Sequence, residues 1–111
     1  LYVNGFFFFF MVKHVILWTL KDNFSLEEKL KIKQGIKEGL ENLHDKIPGL
    51  LEIQVFTEGF DTSNAELMLD STFKDFDALK NYAKHPAHVE VANEKVRPFT
   101  ATRSCFDYEI D

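Results

Sequence analysis

The chain has 111 residues, a formal net charge of −5, 45% hydrophobic residues and 28% charged residues. Those values describe one globular domain with enough chain to bury a core unaided. They argue against nucleic-acid or anionic-membrane binding, which needs a basic face. A single cysteine, Cys105, has no internal disulfide partner and points to a reducing, cytoplasmic compartment.

Residues 1–10 read LYVNGFFFFF, with five of the twelve phenylalanines and no charge. The segment is too short to span a bilayer and lacks the basic region and cleavage site of a signal peptide. It reads as a tag or non-native segment, with the domain occupying residues 11–111 and a natural start at Met11.

Met11–Leu20 alternates as a strand with apolar residues on both faces: Val12, His14, Ile16, Trp18 and Leu20 on one, Val15 and Leu17 on the other. Ser25 and Glu28 form a capping box that opens a helix to about Asp45. Its apolar stripe is Leu26, Leu30, Ile36, Leu40, Leu43 and Ile47, its lysines form a solvated face, and Pro48-Gly49 stops it. Residues 50–60 and 65–73 alternate as two strands joined by a short polar loop, an antiparallel hairpin. A short helix over residues 75–83 carries Phe76, Leu79 and Tyr82 on one side. His85-Pro86 bends the chain, a further helical stretch covers residues 87–96, and Thr100–Ile110 alternates as the last strand. The order βαββαβ predicts an α+β, ferredoxin-like fold: a four-stranded antiparallel sheet with helices on one face.

Such a sheet leaves its second face bare. The first strand is apolar on both sides, so the expected cover is the same sheet from a second copy. The result would be a twofold homodimer closing as an α/β barrel and burying about 800 Å² per copy.

The run LKNYAKHPAH over residues 79–88 resembles the Y-x-x-H-P-x-H signature of the stress-responsive A/B barrel (Dabb) family. The opening MVKHVILW, Pro48-Gly49, Phe73 and the closing Phe106-Asp107-Tyr108 fit the same pattern, so the resemblance spans residues 11–111. It implies a homodimeric barrel and no single activity. Family members include plant stress proteins and a polyketide cyclase, olivetolic acid cyclase, which uses no metal or organic cofactor. That cyclase's catalytic Tyr and His fall here on Tyr82 and His88; its pocket His on the third strand falls on Leu67, a departure that puts the same substrate in doubt.

An imidazole can take a proton from carbon beside a carbonyl, and a phenol can donate to the oxygen as charge develops. The resulting expectation is a cofactor-free cyclase, lyase or isomerase acting on a small carbonyl or polyketide-like compound. His88 and Tyr82 are the expected catalytic residues, with His14, Trp18, His85 and Leu67 lining the pocket. The alternative is a non-catalytic protein that holds a small apolar or aromatic ligand, with Tyr82 packing in the core and His85 and His88 capping helix ends. A third possibility is the antibiotic-biosynthesis monooxygenase type, which the H-P-x-H motif disfavours. No metal is expected: a catalytic zinc needs three protein ligands, and His85 and His88 have no evident third except Glu90. Cys105 reads as a small buried hydrophobe in its strand.

Overall fold

The computed structural model describes residues 10–110, together with the backbone of residues 2–3 and 6–7. In the leading segment, β1 (Tyr2–Val3) and β2 (Phe6–Phe7) pair antiparallel. The expectation that residues 1–10 form a tag falls largely outside the described residues. The domain continues as β3 (Met11–Leu20), α1 (Leu26–Glu41), β4 (Leu50–Phe56), β5 (Leu67–Phe73), α2 (Phe76–Lys84), α3 (Pro86–Val91), a π-helical turn (Ala92–Val96) and β6 (Thr100–Ile110). The four long strands form one sheet in the order β4-β5-β3-β6, every neighbouring pair antiparallel. This is the ferredoxin-like architecture that the element order predicts.

Strand β3 is the centre of the design. Val12, His14, Ile16, Trp18 and Leu20 are all buried. They pack with Ile36 and Leu40 of α1, Val55 of β4, Leu69 and Phe73 of β5, and Leu79 and Tyr82 of α2. Ser71 is a buried polar residue of this core, and its hydroxyl donates to the His14 carbonyl at 2.8 Å, so it carries no desolvation debt.

The expected capping box is present: Glu28 N–H donates to Ser25 Oγ at 3.1 Å, and Ser25 N–H to Glu28 Oε1 at 2.9 Å. The helix is shorter than the periodicity suggests. It ends at Glu41, and the chain continues in tight three-residue turns, with Leu43 N–H to Leu40 O and Lys46 N–H to Leu43 O. These turns still deliver Leu43 and Ile47 to the core, whereas Leu26 and Leu30 of the expected stripe are exposed.

The lysine face of α1 is only partly solvated. Lys37 Nζ donates to Val55 O at 2.8 Å, and Glu41 Oε2 accepts from Val55 N–H at 2.9 Å and from Lys37 at 2.8 Å. Lys33 Nζ reaches Thr57 O at 3.3 Å. Burial alone would raise the Glu41 carboxyl, but hydrogen bonds from Lys37 and the Val55 N–H outweigh it and hold the group below the usual carboxylate value. Side chains of α1 thus occupy outer backbone groups at the far end of β4, an edge strand, and just past it.

The strands of the β4–β5 hairpin are shorter than expected, Leu50–Phe56 and Leu67–Phe73, and a register shift separates Leu50 from Glu52. Gly49 leads into β4 at φ 83°, a conformation that favours glycine. A Cβ there would lie 2.6 Å from Ala78 Cβ. Gly49→Ala is therefore expected to cost about 2–4 kcal/mol in chemical denaturation, from left-handed strain plus overpacking against α2. A loss under about 0.5 kcal/mol would mean that α2 yields freely.

Helices α1 and α2 lie over β3, β4 and β5, and β6 is uncovered: it is exposed along almost its whole length. On the far face of the sheet, β3 presents Met11, Val15 and Leu17 beside Phe106 and Tyr108 of β6, Met68 of β5 and Phe56 of β4. Met11, Leu17, Phe56, Phe106 and Tyr108 are exposed there, Phe106 by 69%. The only ion pair on that face among the described residues, Lys13 Nζ to Asp70 Oδ1 at 2.8 Å, joins neighbouring strands, and Lys13 also donates to Thr72 Oγ1.

Candidate functional site

A cavity of about 440 Å³ opens between the sheet and the helical segment from α2 to the π turn. Apolar side chains of Ile16, Leu40, Leu69, Leu79 and Val96 form much of its lining, and His14, Trp18, Tyr82, His88, Arg97 and Arg103 supply its polar and aromatic wall.

Local sequence sets each of these. Asp75 caps α2 by accepting from Ala78 N–H at 2.8 Å, and the apolar side of that helix buries Tyr82 to 1% exposure. Pro86 cannot continue α2, so a new helix starts there. His85 is its cap: Nδ1 accepts from Ala87 N–H at 3.1 Å. The bend returns His88 over Tyr82, with ring centroids 4.2 Å apart and planes at 37°. The π turn then widens the helix by one residue, with Arg97 N–H bonded to Ala92 O at 2.9 Å, and Ala92, Val96 and Arg97 all line the cavity.

Tyr82 is held edge-on by Phe73 at 4.9 Å and by His14 at 6.1 Å. Its hydroxyl is buried and has no hydrogen-bond partner, a costly state for a donor outside water. Burial pushes the phenol far above its ordinary value, against a smaller pull from the Arg103 charge, so it remains a proton donor.

His88 Nδ1 lies 3.3 Å from Ala83 O. A carbonyl only accepts, so Nδ1 carries the proton and Nε2 keeps its lone pair. Burial lowers the imidazole's proton affinity; the Ala83 bond opposes this, and the positive fields of His14, Arg97 and Arg103 add to it. His14 Nδ1 sits 2.5 Å from Asp107 Oδ1 and donates its N–H to that carboxylate, which orients the ring.

Four of the six residues expected at the site, His14, Trp18, Tyr82 and His88, converge on this cavity. The other two do not line it. His85 is spent as the α3 cap. Leu67, opposite Trp18 on β5, borders a separate hollow of about 410 Å³ with Leu17, Phe56 and Met68; Leu69 takes the lining position. Cys105 is a correction: it is exposed, because no helix covers β6. Its Sγ lies 3.4 Å from Asp107 Oδ1 and 3.7 Å from His14 Nδ1. Partial burial and the Asp107 carboxylate push the thiol up, which disfavours the nucleophilic thiolate.

Asp107, Arg97 and Arg103 were not singled out from sequence. The signal for Asp107 and Arg103 lies in the strand register, which sets Asp107 opposite His14 and Arg103 opposite Trp18. His14, Cys105 and Asp107 also bring ligating atoms within 4.8 Å of one another, the one group among the described residues able to hold a metal ion. A metal there would have to displace the His14–Asp107 hydrogen bond and take a further ligand from outside the trio. His85, His88 and Glu90 form no such group.

Fold and cavity together define a ferredoxin-like α+β domain in which the buried Tyr82 and the half-buried His88 face a mostly apolar hollow. The model of the stress-responsive A/B barrel domain, Dabb, matches residues 12–110, and the chain belongs to that family. It is 39% identical over 87 residues to the stress-response A/B barrel domain-containing protein HS1 of Arabidopsis thaliana, covering 73% of each chain. Among solved structures it is similar to a dimeric protein of unknown function and ferredoxin-like fold from Bacteroides fragilis. That match has a TM-score of 0.83 and 35% identity, and it covers 90% of this chain and 96% of the other. The fold is also that of a hydroxynitrile lyase from Passiflora edulis, with a TM-score of 0.69 and 22% identity over 91% of this chain and 94% of that one.

Proposed function

We propose that this chain forms a homodimer in which each copy carries a small-molecule cavity for cofactor-free proton transfer on a carbonyl compound, in cyclase, lyase or isomerase chemistry. The observation that carries the reading is the buried, unpartnered Tyr82 hydroxyl beside the His88 imidazole in a cavity of about 440 Å³. His88 Nε2 takes a proton from carbon next to a carbonyl. The Tyr82 hydroxyl donates to the oxygen as it gains charge, and the apolar lining keeps water from competing. The enolate then attacks, eliminates or is reprotonated according to the substrate. The His14–Asp107 pair supplies a second oriented imidazole in the same cavity.

Self-association is supported by the apolar far face of the sheet and by the dimeric state of the similar Bacteroides fragilis protein. No helix among the described residues is long and apolar enough to cross a membrane. The exposed free thiol of Cys105 supports a reducing, cytoplasmic setting.

Deuterium exchange at the central carbon of a 1,3-diketone probe, followed by NMR, tests the chemistry. His88→Gln is expected to lower kcat/KM by about 10²–10⁴-fold and Tyr82→Phe by about 10²–10³-fold. Because His88 binds its proton more weakly than a free imidazole, the base form is reached early as pH rises. The acid limb should be half-maximal below pH ~6.5. Exchange that persists unchanged in His88→Gln removes the proposal and leaves a ligand-holding protein.

A further inference from the structure

The chain carries net negative charge, yet no acidic residue lines the Tyr82–His88 cavity. Its polar wall is instead made by two arginines, two histidines, Tyr82, Trp18 and Thr100. Arg103 stands opposite Trp18 in the β3–β6 register, and its charge is felt at both Tyr82 and His88. Arg97 is placed by the π turn, and one of its N–H groups is occupied by Asn93 Oδ1. A guanidinium has five N–H donors in a planar fork suited to a carboxylate, so donors remain on this side chain. Asp107, a carboxylate hydrogen-bonded to His14 and to the Cys105 thiol, stands behind this wall and does not line the cavity.

We propose that the cavity takes an organic carboxylate, with its apolar body among Ile16, Leu40, Leu69 and Val96 and its carboxylate on Arg97 and Arg103. This rests on the reading of the cavity as the substrate site, and it narrows the substrate class to carbonyl compounds that also bear an acid group. A cation-lined wall opposite an apolar floor selects such a molecule over a neutral one of equal shape. The neutral compound makes no charge-assisted hydrogen bond to the guanidiniums. The same wall favours the enolate of the proposed reaction, which gains negative charge beside it.

The test is calorimetric titration of the full chain with 3-phenylpropanoate and with its amide, a neutral partner of the same shape. The acid is expected to bind at least ~10-fold more tightly, about 1.4 kcal/mol. Arg103→Met should remove most of that preference, the acid losing far more affinity than the amide. Arg103→Lys should retain part of it, and Arg97→Gln/Arg103→Met should abolish it. Thermal melts of the same variants establish that they are folded, both arginines being exposed. Equal binding of acid and amide by the unmodified chain, binding of neither, or a preference that survives in the double variant overturns the proposal. Acid preference together with unchanged deuterium exchange in His88→Gln leaves the carboxylate site standing and removes only the proton-transfer chemistry.

Discussion

Phe73→Ala is expected to lower the stability of the domain by about 3–5 kcal/mol, a large share of the roughly 5–15 kcal/mol a domain of this kind possesses. The ring is fully buried at the end of β5, opposite Val12 of β3 and Leu50 of β4. It packs edge-on to Tyr82 at 4.9 Å and to His14 at 6.3 Å. Deleting it removes apolar burial and leaves a void that β3, β4 and α2 cannot jointly close, since each is pinned by its own hydrogen bonds. The void would lie under the site, so Tyr82 would lose the wall that holds its ring against His88. Urea denaturation should show a lower midpoint with an unchanged slope. Phe73→Leu, which keeps most of the volume, should cost under about 2 kcal/mol and permit ligand titration on a folded protein. If Phe73→Ala costs less than about 1 kcal/mol, the ring does not support the site as described.

The second large effect is on assembly. Phe106→Asp should weaken self-association by at least ~100-fold, about 2.8 kcal/mol, as read by sedimentation equilibrium. Phe106 is the most exposed large side chain of the sheet's far face. It stands opposite Val15, with Tyr108 beside it at a ring-centroid distance of 5.7 Å. A carboxylate there would be carried into the centre of an apolar contact with no cation given to it, because Lys13 is already committed to Asp70 and Thr72. In a twofold contact each substitution appears twice, which magnifies the effect. The unmodified protein should melt at a temperature that rises with its concentration, and the variant's melting temperature should not. A monodisperse monomer of the unmodified chain at micromolar concentration would remove the premise.

Much of this molecule can be read from its residues because local and global preferences agree. The alternation of β3 gives the burial of Val12, His14, Ile16, Trp18 and Leu20 without exception, and Ser25 with Glu28 marks the start of α1 at the right residue. The end of α1 was not legible, because a run of tight turns buries Leu43 and Ile47 at nearly the same spacing as a helix. The exposure of Cys105 depends on how far the helices reach across the sheet, and the alternation of β6 carries no information about that distance. At the site, Tyr82 and His88 announce themselves by their motif. Asp107 and Arg103 lie 93 residues from His14 and 85 from Trp18 along the chain, and they meet the site only through the pairing of β6 with β3. Arg97 depends on one extra residue in a helical turn, a feature with no sequence signature here.

The two borders of the sheet are treated differently, and that difference limits how copies can add to one another. Lys37 and Glu41 already fill the Val55 carbonyl and N–H of β4, and Lys33 the Thr57 carbonyl just past it, while β6 ends the sheet on the other side with no strand beyond it among the described residues. A fibril that grows strand by strand needs an acceptor rail at both ends of each unit. This chain offers one. A copy that docks through β6 presents to the next arrival an edge on which Val55 is already bonded to α1, which disfavours further lateral growth.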